Sequence, residues 1–444
     1  MKQQHIAVVG SGMAGLAAAW ICQQAGHDVT VFEAQNGRGM DAHTLSGLGP
    51  EGQGWIDVPL RVMSPHAWPS VLALCAHHKI ATFPVDTFVS YSWHDQSTWL
   101  RSARIKLGSW HIPSVGSWRY LNREAFIIVK NLLRMARELK DQAQKEKFQQ
   151  QSLQQFFQEG GYDPLFWRGF LFPILTTICT CKEESLLNWP AKSLLPLTER
   201  IMLGRSLVRL KGGTGALVDA LAKDLRFVSG SPVVKVAVNN DGVSLNNKQG
   251  VGGRYDRVIF ATQANQLSFL QEPAFSRELD VLRSFQFDDG ELFVHRDQRF
   301  MPKKRSDWTA LNFQSDRKFD QSMFTVWVNP IEPSLSGAAP LFQTWNPSFE
   351  PDDVLCRVAL QRAVVSQRNQ QAIQRLQSIH SESGRRSFFC GAWAAPGVPL
   401  LESAVRSAMA VAKHLNIVIP WDLQMQEKEQ VLQPGYSSPV ASMQ

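Results

Sequence analysis

His5-Ile6-Ala7-Val8-Val9-Gly10-Ser11-Gly12-Met13-Ala14-Gly15-Leu16-Ala17-Ala18-Ala19-Trp20-Ile21 is the stretch whose reading decides the fold. A short β-branched run stops at a glycine, and an alanine-rich helix starts after the third glycine. This is G-x-G-x-x-G set between a strand and a helix, where its mechanism requires it. Gly10 allows the tight turn, Gly12 lets a pyrophosphate approach the backbone, and Gly15 lets the helix pack closely on the sheet. Met13 and Ala14 open the helix whose N-terminus faces the phosphates. A second strand follows, His27-Asp28-Val29-Thr30-Val31-Phe32-Glu33, and ends on an acid eighteen residues after Gly15. Glu33 is placed to accept hydrogen bonds from a ribose. The unit predicts dinucleotide binding; NAD and FAD sites share it, so it leaves that choice open.

The rest of the composition agrees with a globular protein. Of 444 residues, 44% are hydrophobic and 19% charged, which supplies a core and excludes a disordered or collagen-like chain. The net charge of +7 permits an anionic membrane surface or an acidic substrate and does not demand nucleic acid. Fourteen Trp and 25 Phe against 5 Tyr hint at an apolar substrate cavity. Six scattered cysteines predict free thiols, a reducing compartment and a cytoplasmic location. Cys179 and Cys181 are the one close pair, and with no His or Cys cluster beside them no metal is expected. Ile6 to Cys22 carries no charge over seventeen residues, yet it is short for a membrane span and is followed by a strand. The chain is therefore expected to start directly on its first strand and to be soluble or peripheral to a membrane. Residues 425–444 read as a polar tail.

Beyond Glu33, the run Ala34-Gln35-Asn36-Gly37-Arg38-Gly39-Met40 resembles the arginine-glycine stretch of FAD-dependent amine oxidases and phytoene-desaturase-type flavoproteins. Met40 stands where those families carry a second glycine. Val208-Arg209-Leu210-Lys211-Gly212-Gly213-Thr214-Gly215 is similar to their glycine-pair element. Ser231-Pro232-Val233-Val234-Lys235-Val236 is similar to their adenine-contacting strand, and Tyr255 to Thr262 to the strand returning to the flavin. Phe388-Phe389-Cys390-Gly391-Ala392-Trp393 and the following Gly397 to Met409 resemble their C-terminal flavin motif, with Ala392 where many relatives have an acid. Gly160-Gly161-Tyr162 and Phe300 to Trp308 resemble a bacterial branch of NAD/FAD-binding proteins associated with lipid modification.

The resemblance implies FAD as cofactor, held by Gly10, Gly12, Met13, Ala14, Gly15, Glu33, Ala34, Arg38, Val233, Ala261, Gly391 and Leu401. It implies an α/β fold: a Rossmann-type, glutathione-reductase-like FAD domain built from segments 1–65, 205–265 and 385–420. An α+β substrate domain, 66–204 and 266–384, is interleaved with it. Residues 66–200 read as mostly helical, and Met323-Phe324-Thr325-Val326-Trp327-Val328 as a strand.

By motif position, His43 and Arg61 are the candidate catalytic residues near the flavin. His43 would act as a base or orient the ring; Arg61 would bind an acidic head group or stabilise reduced flavin. A structural role, such as an ion pair of Arg61 with Asp57, is an equal alternative. Arg119 to Lys147 holds eight basic and four acidic residues among apolar ones. It reads as amphipathic helix, either a solvated face or a peripheral membrane contact, and Lys303-Lys304-Arg305 reads the same way. Three functions remain open: an FAD-dependent oxidoreductase passing hydride to or from flavin on an apolar, fatty-acyl or polyene substrate; an amine or amino-acid oxidase; and a flavin-binding protein without catalysis.

Overall fold

The computed structural model describes residues 2–39, 43–107, 110–139, 141, 151–179, 181–195, 207–239 and 241–421. Met40, most of 140–147 and the tail 425–444 lie outside these. Strand β1 (His5–Val9), helix α1 (Met13–Gln24) and strand β2 (Asp28–Phe32) form where the glycine motif puts them. β1 and β2 lie in a five-stranded sheet of order Arg226–Val228, β2, β1, Arg257–Phe260, Ser387–Phe389. Every pairing in it is parallel. Parallel strands are covered on both faces, and accordingly Ile6, Ala7 and Val8 are wholly buried. α1 is buried all round from Met13 to Cys22, which explains its alanines: it lies between the sheet and the helices Gly213–Ala222 and Leu401–His414.

The second large sheet has eight strands, in the order Val354–Ala363, Phe287–His295, Phe342–Trp345, Ser322–Trp327, Leu311–Ser315, Val89–Trp93, Thr98–Leu107, Trp110–Val115. The expectation that 66–200 is mostly helical fails at Val89 to Val115, which supplies three of these strands. Val89-Ser-Tyr-Ser-Trp alternates in type, and its partner is Leu311–Ser315, joined to it in parallel register. That partner is more than 200 residues away, so nothing local in the sequence announces the pairing. The helices expected nearby do form, including Pro69–His77, Arg123–Glu138 and Phe172–Cys179. All six cysteines are free, and among the described residues no helix is long and apolar enough to cross a membrane.

Candidate functional site

At the β1–α1 turn the three glycines have separate reasons. Gly10 has φ +102°, a conformation that a side chain would strain. A Cβ on Gly15 would run into the Gly10 carbonyl oxygen, so the helix could not sit this close. Gly12 has ordinary backbone angles, and a Cβ there would meet nothing within 4 Å: the turn is open on that side. α1 begins there with no side-chain cap and no acid in its first turn, leaving backbone N–H groups for an anion.

Glu33 is buried beside this turn. One carboxylate oxygen accepts the Ser11 N–H (2.9 Å) and hydroxyl (2.6 Å), and the other accepts the Gln35 N–H (2.9 Å). The second oxygen retains a lone pair for a ribose hydroxyl. Gly39, quoted in the arginine-glycine stretch but not named as a site residue, donates its N–H to the Ser11 hydroxyl at 2.7 Å. A Cβ on it would stand 2.7 Å from the Gly12 nitrogen, so this loop is layered directly on the turn. Arg38 turns outward to Asp219 (2.8 Å), and Ala34 is exposed. The Gly230 N–H donates to the Gln35 carbonyl at 2.9 Å, which brings the segment leading to buried Val233 beside the Glu33 loop. An open turn, free helix N–H groups and a buried acid at the end of β2 fit the adenosine and pyrophosphate of a dinucleotide.

A cavity of about 500 Å³ continues from the turn into the eight-stranded sheet. Its near wall brings together Gly12, Met13, Ala14, Ala261, Gly391 and Leu401, residues far apart in sequence. Gly391 has φ +155° and donates its N–H to the Ser407 hydroxyl at 2.9 Å, fixing the end of its strand against the last helix. Leu401 opens that helix, which has no side-chain cap. Glu402 turns away and accepts the N–H groups of Ser70 and Val71, locking Leu401–His414 to Pro69–His77. The far wall is apolar: Ile174 and Ile178 from one helix, and Leu311, Phe313, Phe324 and Trp345 from the sheet. Such a surface excludes water and leaves room for a planar ring and an apolar molecule.

Of the two candidate catalytic residues, Arg61 lines this cavity and His43 does not. Arg61 donates to the Pro59 carbonyl at 2.9 Å. Asp57, the acid considered as its partner, accepts the Thr214 N–H (3.1 Å) and hydroxyl (2.7 Å) and lies 3.7 Å from Arg209. Arg209 in turn pairs with Glu332 at 2.6 Å. Gln343 clamps the Asp57–Arg61 segment to the sheet through the Asp57 carbonyl (2.9 Å) and the Leu60 N–H (2.8 Å), and so sets where Arg61 points.

A second guanidinium, Arg362, borders the same cavity and escaped the sequence reading. It is the penultimate residue of the strand Val354–Ala363, whose partners are remote, so only a basic residue late in a strand-like run hinted at it. It donates to the Pro399 carbonyl at 3.1 Å, and among the described residues no carboxylate lies within 4 Å of it. Burial and the neighbouring Arg61 charge pull its pKa down to about 10, which leaves it a cation at neutral pH. Among the described residues no Asp or Glu lines the cavity. Among the described residues there is also no group of His, Cys, Asp and Glu that could hold a metal.

Residues 13–360 match the family model of flavin-containing amine oxidoreductases. A mouse L-amino-acid oxidase (Mus musculus) is 30% identical over 140 residues, which are 30% of this chain and 20% of that protein, so the chain spans about a fifth of the length of this relative. Putrescine oxidase superposes with a TM-score of 0.62 at 14% identity, covering 93% of this chain and 99% of the other. A fatty acid isomerase from P. acnes that produces CLA gives a TM-score of 0.65 at 12% identity over 93% and 99%. These two likenesses are of fold. The family match covers most of the chain and agrees with the open turn, the buried acid and the three-segment parallel sheet. The chain is therefore a member of the flavin-containing amine oxidoreductase family, an oxidoreductase whose cofactor is FAD.

Proposed function

We propose that the protein oxidises, reduces or isomerises a long apolar molecule carrying one carboxylate, of the fatty-acyl type. FAD supplies the hydride acceptor and donor. The supporting observation is the cavity: apolar rings along its length, Arg362 with no carboxylate partner among the described residues, and Arg61 beside it. Burying a cation without an anion is costly, and a carboxylate from the substrate would satisfy it. The same two charges repel the ammonium of a simple amine, which would find no acid among the described residues of the cavity wall. The chain's own residues then hold the head group at Arg362 and Arg61, align the apolar body along Phe313 and Phe324, and keep water out. The fold shared with a fatty acid isomerase agrees with this reading.

The experiment is anaerobic bleaching of the bound flavin. Unsaturated fatty acids should bleach it, reoxidise it after dithionite reduction, or be recovered as isomers, while the matching alcohols and primary amines should do none of these. Arg362→Gln should raise the half-saturating fatty-acid concentration roughly 10- to 100-fold, the loss of one charged hydrogen bond. Bleaching by amines alone, or equal response of the variant, would overturn the proposal. One second reading has its own support: the L-amino-acid oxidase likeness, together with Arg362 as a partner for an α-carboxylate. Peroxide release with amino acids and no response to fatty acids would select it. Retained flavin that neither panel bleaches or reoxidises, with the fatty acid recovered unchanged, would instead select a binding protein without catalysis.

A further inference from the structure

Eleven large hydrophobic side chains are exposed among the described residues, and five of them fall in one short stretch: Trp118, Leu121, Phe126, Val129 and Leu133. Trp118 is 85% exposed, Phe126 69% and Leu133 54%. The last three occupy one face of the Arg123–Glu138 helix at spacings of three and four. The core does not need them. The helix buries Ala125, Ile128, Asn131 and Met135 on the opposite side, against a cluster that includes Phe166 and Phe170.

The charges on the outer face are of one sign. Arg123, Lys130 and Arg137 are exposed, seven residues apart, and so form a stripe beside Phe126 and Leu133. Among the described residues none of the three has a carboxylate within 4 Å. The helix's acids do not offset them: Glu138 is taken by Arg134 (2.8 Å) and by the Tyr162 hydroxyl (2.6 Å), and Glu124 is half-buried in the first turn. Arg119 is already neutralised by buried Asp307.

We infer that this face, Trp118 to Arg137, docks the protein on an anionic lipid bilayer. Apolar side chains would enter the acyl boundary, the three cations would meet lipid head groups, and Trp118 would lie at the interface. A soluble partner would need an acidic and apolar surface of matching shape, whereas a bilayer needs only the two properties seen here. The face also has a route to the cavity. The helix packs on the Leu165–Leu171 segment, which runs straight into Phe172–Cys179, the helix that places Ile174 and Ile178 in the cavity wall. The inference stands apart from the substrate proposal, since it concerns adsorption and not turnover.

The test is co-sedimentation of the flavin-loaded full chain with vesicles. Vesicles of phosphatidylglycerol and phosphatidylcholine in equal parts should pellet the protein, and phosphatidylcholine alone should pellet little. Phe126→Glu with Leu133→Glu should lower the bound fraction about tenfold or more, with flavin content and melting temperature unchanged. Arg123→Gln, Lys130→Gln and Arg137→Gln together should remove the preference for phosphatidylglycerol and the loss of binding at high salt. Wild-type protein that stays in the supernatant with both vesicles overturns the inference. So does a double-glutamate variant that pellets like wild type. Self-association abolished by Phe126→Glu, without vesicle binding, would assign the face to a second copy of the chain instead.

Discussion

Gly12 and Gly15 look alike in the sequence motif but answer to different neighbours. Gly15 is pressed against the Gly10 carbonyl, so its substitution is a packing problem; Gly12 faces open space, so its substitution is a ligand problem. Gly12→Val should therefore purify folded, with a denaturation midpoint close to that of wild-type apoprotein, and carry no flavin absorbance. Gly15→Val should fail to give soluble protein. A yellow Gly12→Val preparation would show that the pyrophosphate does not cross this turn. Glu33→Ala should weaken FAD by about 1–3 kcal/mol in a fluorescence titration, because one charged acceptor is lost and Ser11 loses its anchor. At this scale the glycines and Glu33 were legible, because the motif specifies backbone geometry over consecutive residues. Arg362 was not, because its significance comes from Arg61, three hundred residues earlier.

Elements meet around the cavity through a few buried polar links, of which Glu402 is the most informative. Its carboxylate takes the first N–H groups of Pro69–His77, which no side chain of that helix's own N-terminus caps. Glu402→Ala should lower stability by about 1–3 kcal/mol in urea titration, since buried donors lose their acceptor, and it should loosen flavin by freeing the start of Leu401–His414. A midpoint and flavin content equal to wild type would remove this role. Helices such as Arg123–Glu138 were readable from their periodicity. The strands between Val89 and Val115 were not, since a strand is completed by its partners and these lie in another part of the chain.

Across the whole molecule, acid should act on both sheets. His295, the last residue of strand Phe287–His295 in the eight-stranded sheet, hydrogen-bonds Thr344 at 2.8 Å, and burial holds its pKa down at about 4. His380 accepts the Phe389 N–H at 3.0 Å beside the parallel sheet, and burial with nearby His414 and Arg385 brings it to about 3. Both are neutral when folded, while imidazoles in the unfolded chain take up protons near pH 6.5. Stability present above pH 6.5 should therefore fall as pH drops toward 4, by up to about 1.4 kcal/mol per unit for each histidine. Urea titrations at pH 7.5 and 5.5 check this: equal midpoints would mean that neither imidazole is held neutral by the fold.

By itself the sequence determined the β1–α1–β2 unit and that it serves a dinucleotide, while the resemblance of its spaced motifs implied FAD and the three-segment layout proposed for the FAD domain. These depend on contiguous residues, whose periodicity, glycines and terminal acid carry their own geometry. Only the tertiary structure decided that Arg61 borders the cavity and His43 does not, that Arg362 joins Arg61, and that Phe126, Val129 and Leu133 face outward from an already packed helix. The physical reason is common to all three. A charge acquires meaning from what is buried around it, and an apolar side chain from what covers it. Both are fixed by contacts between segments well separated in the chain, which no local pattern encodes.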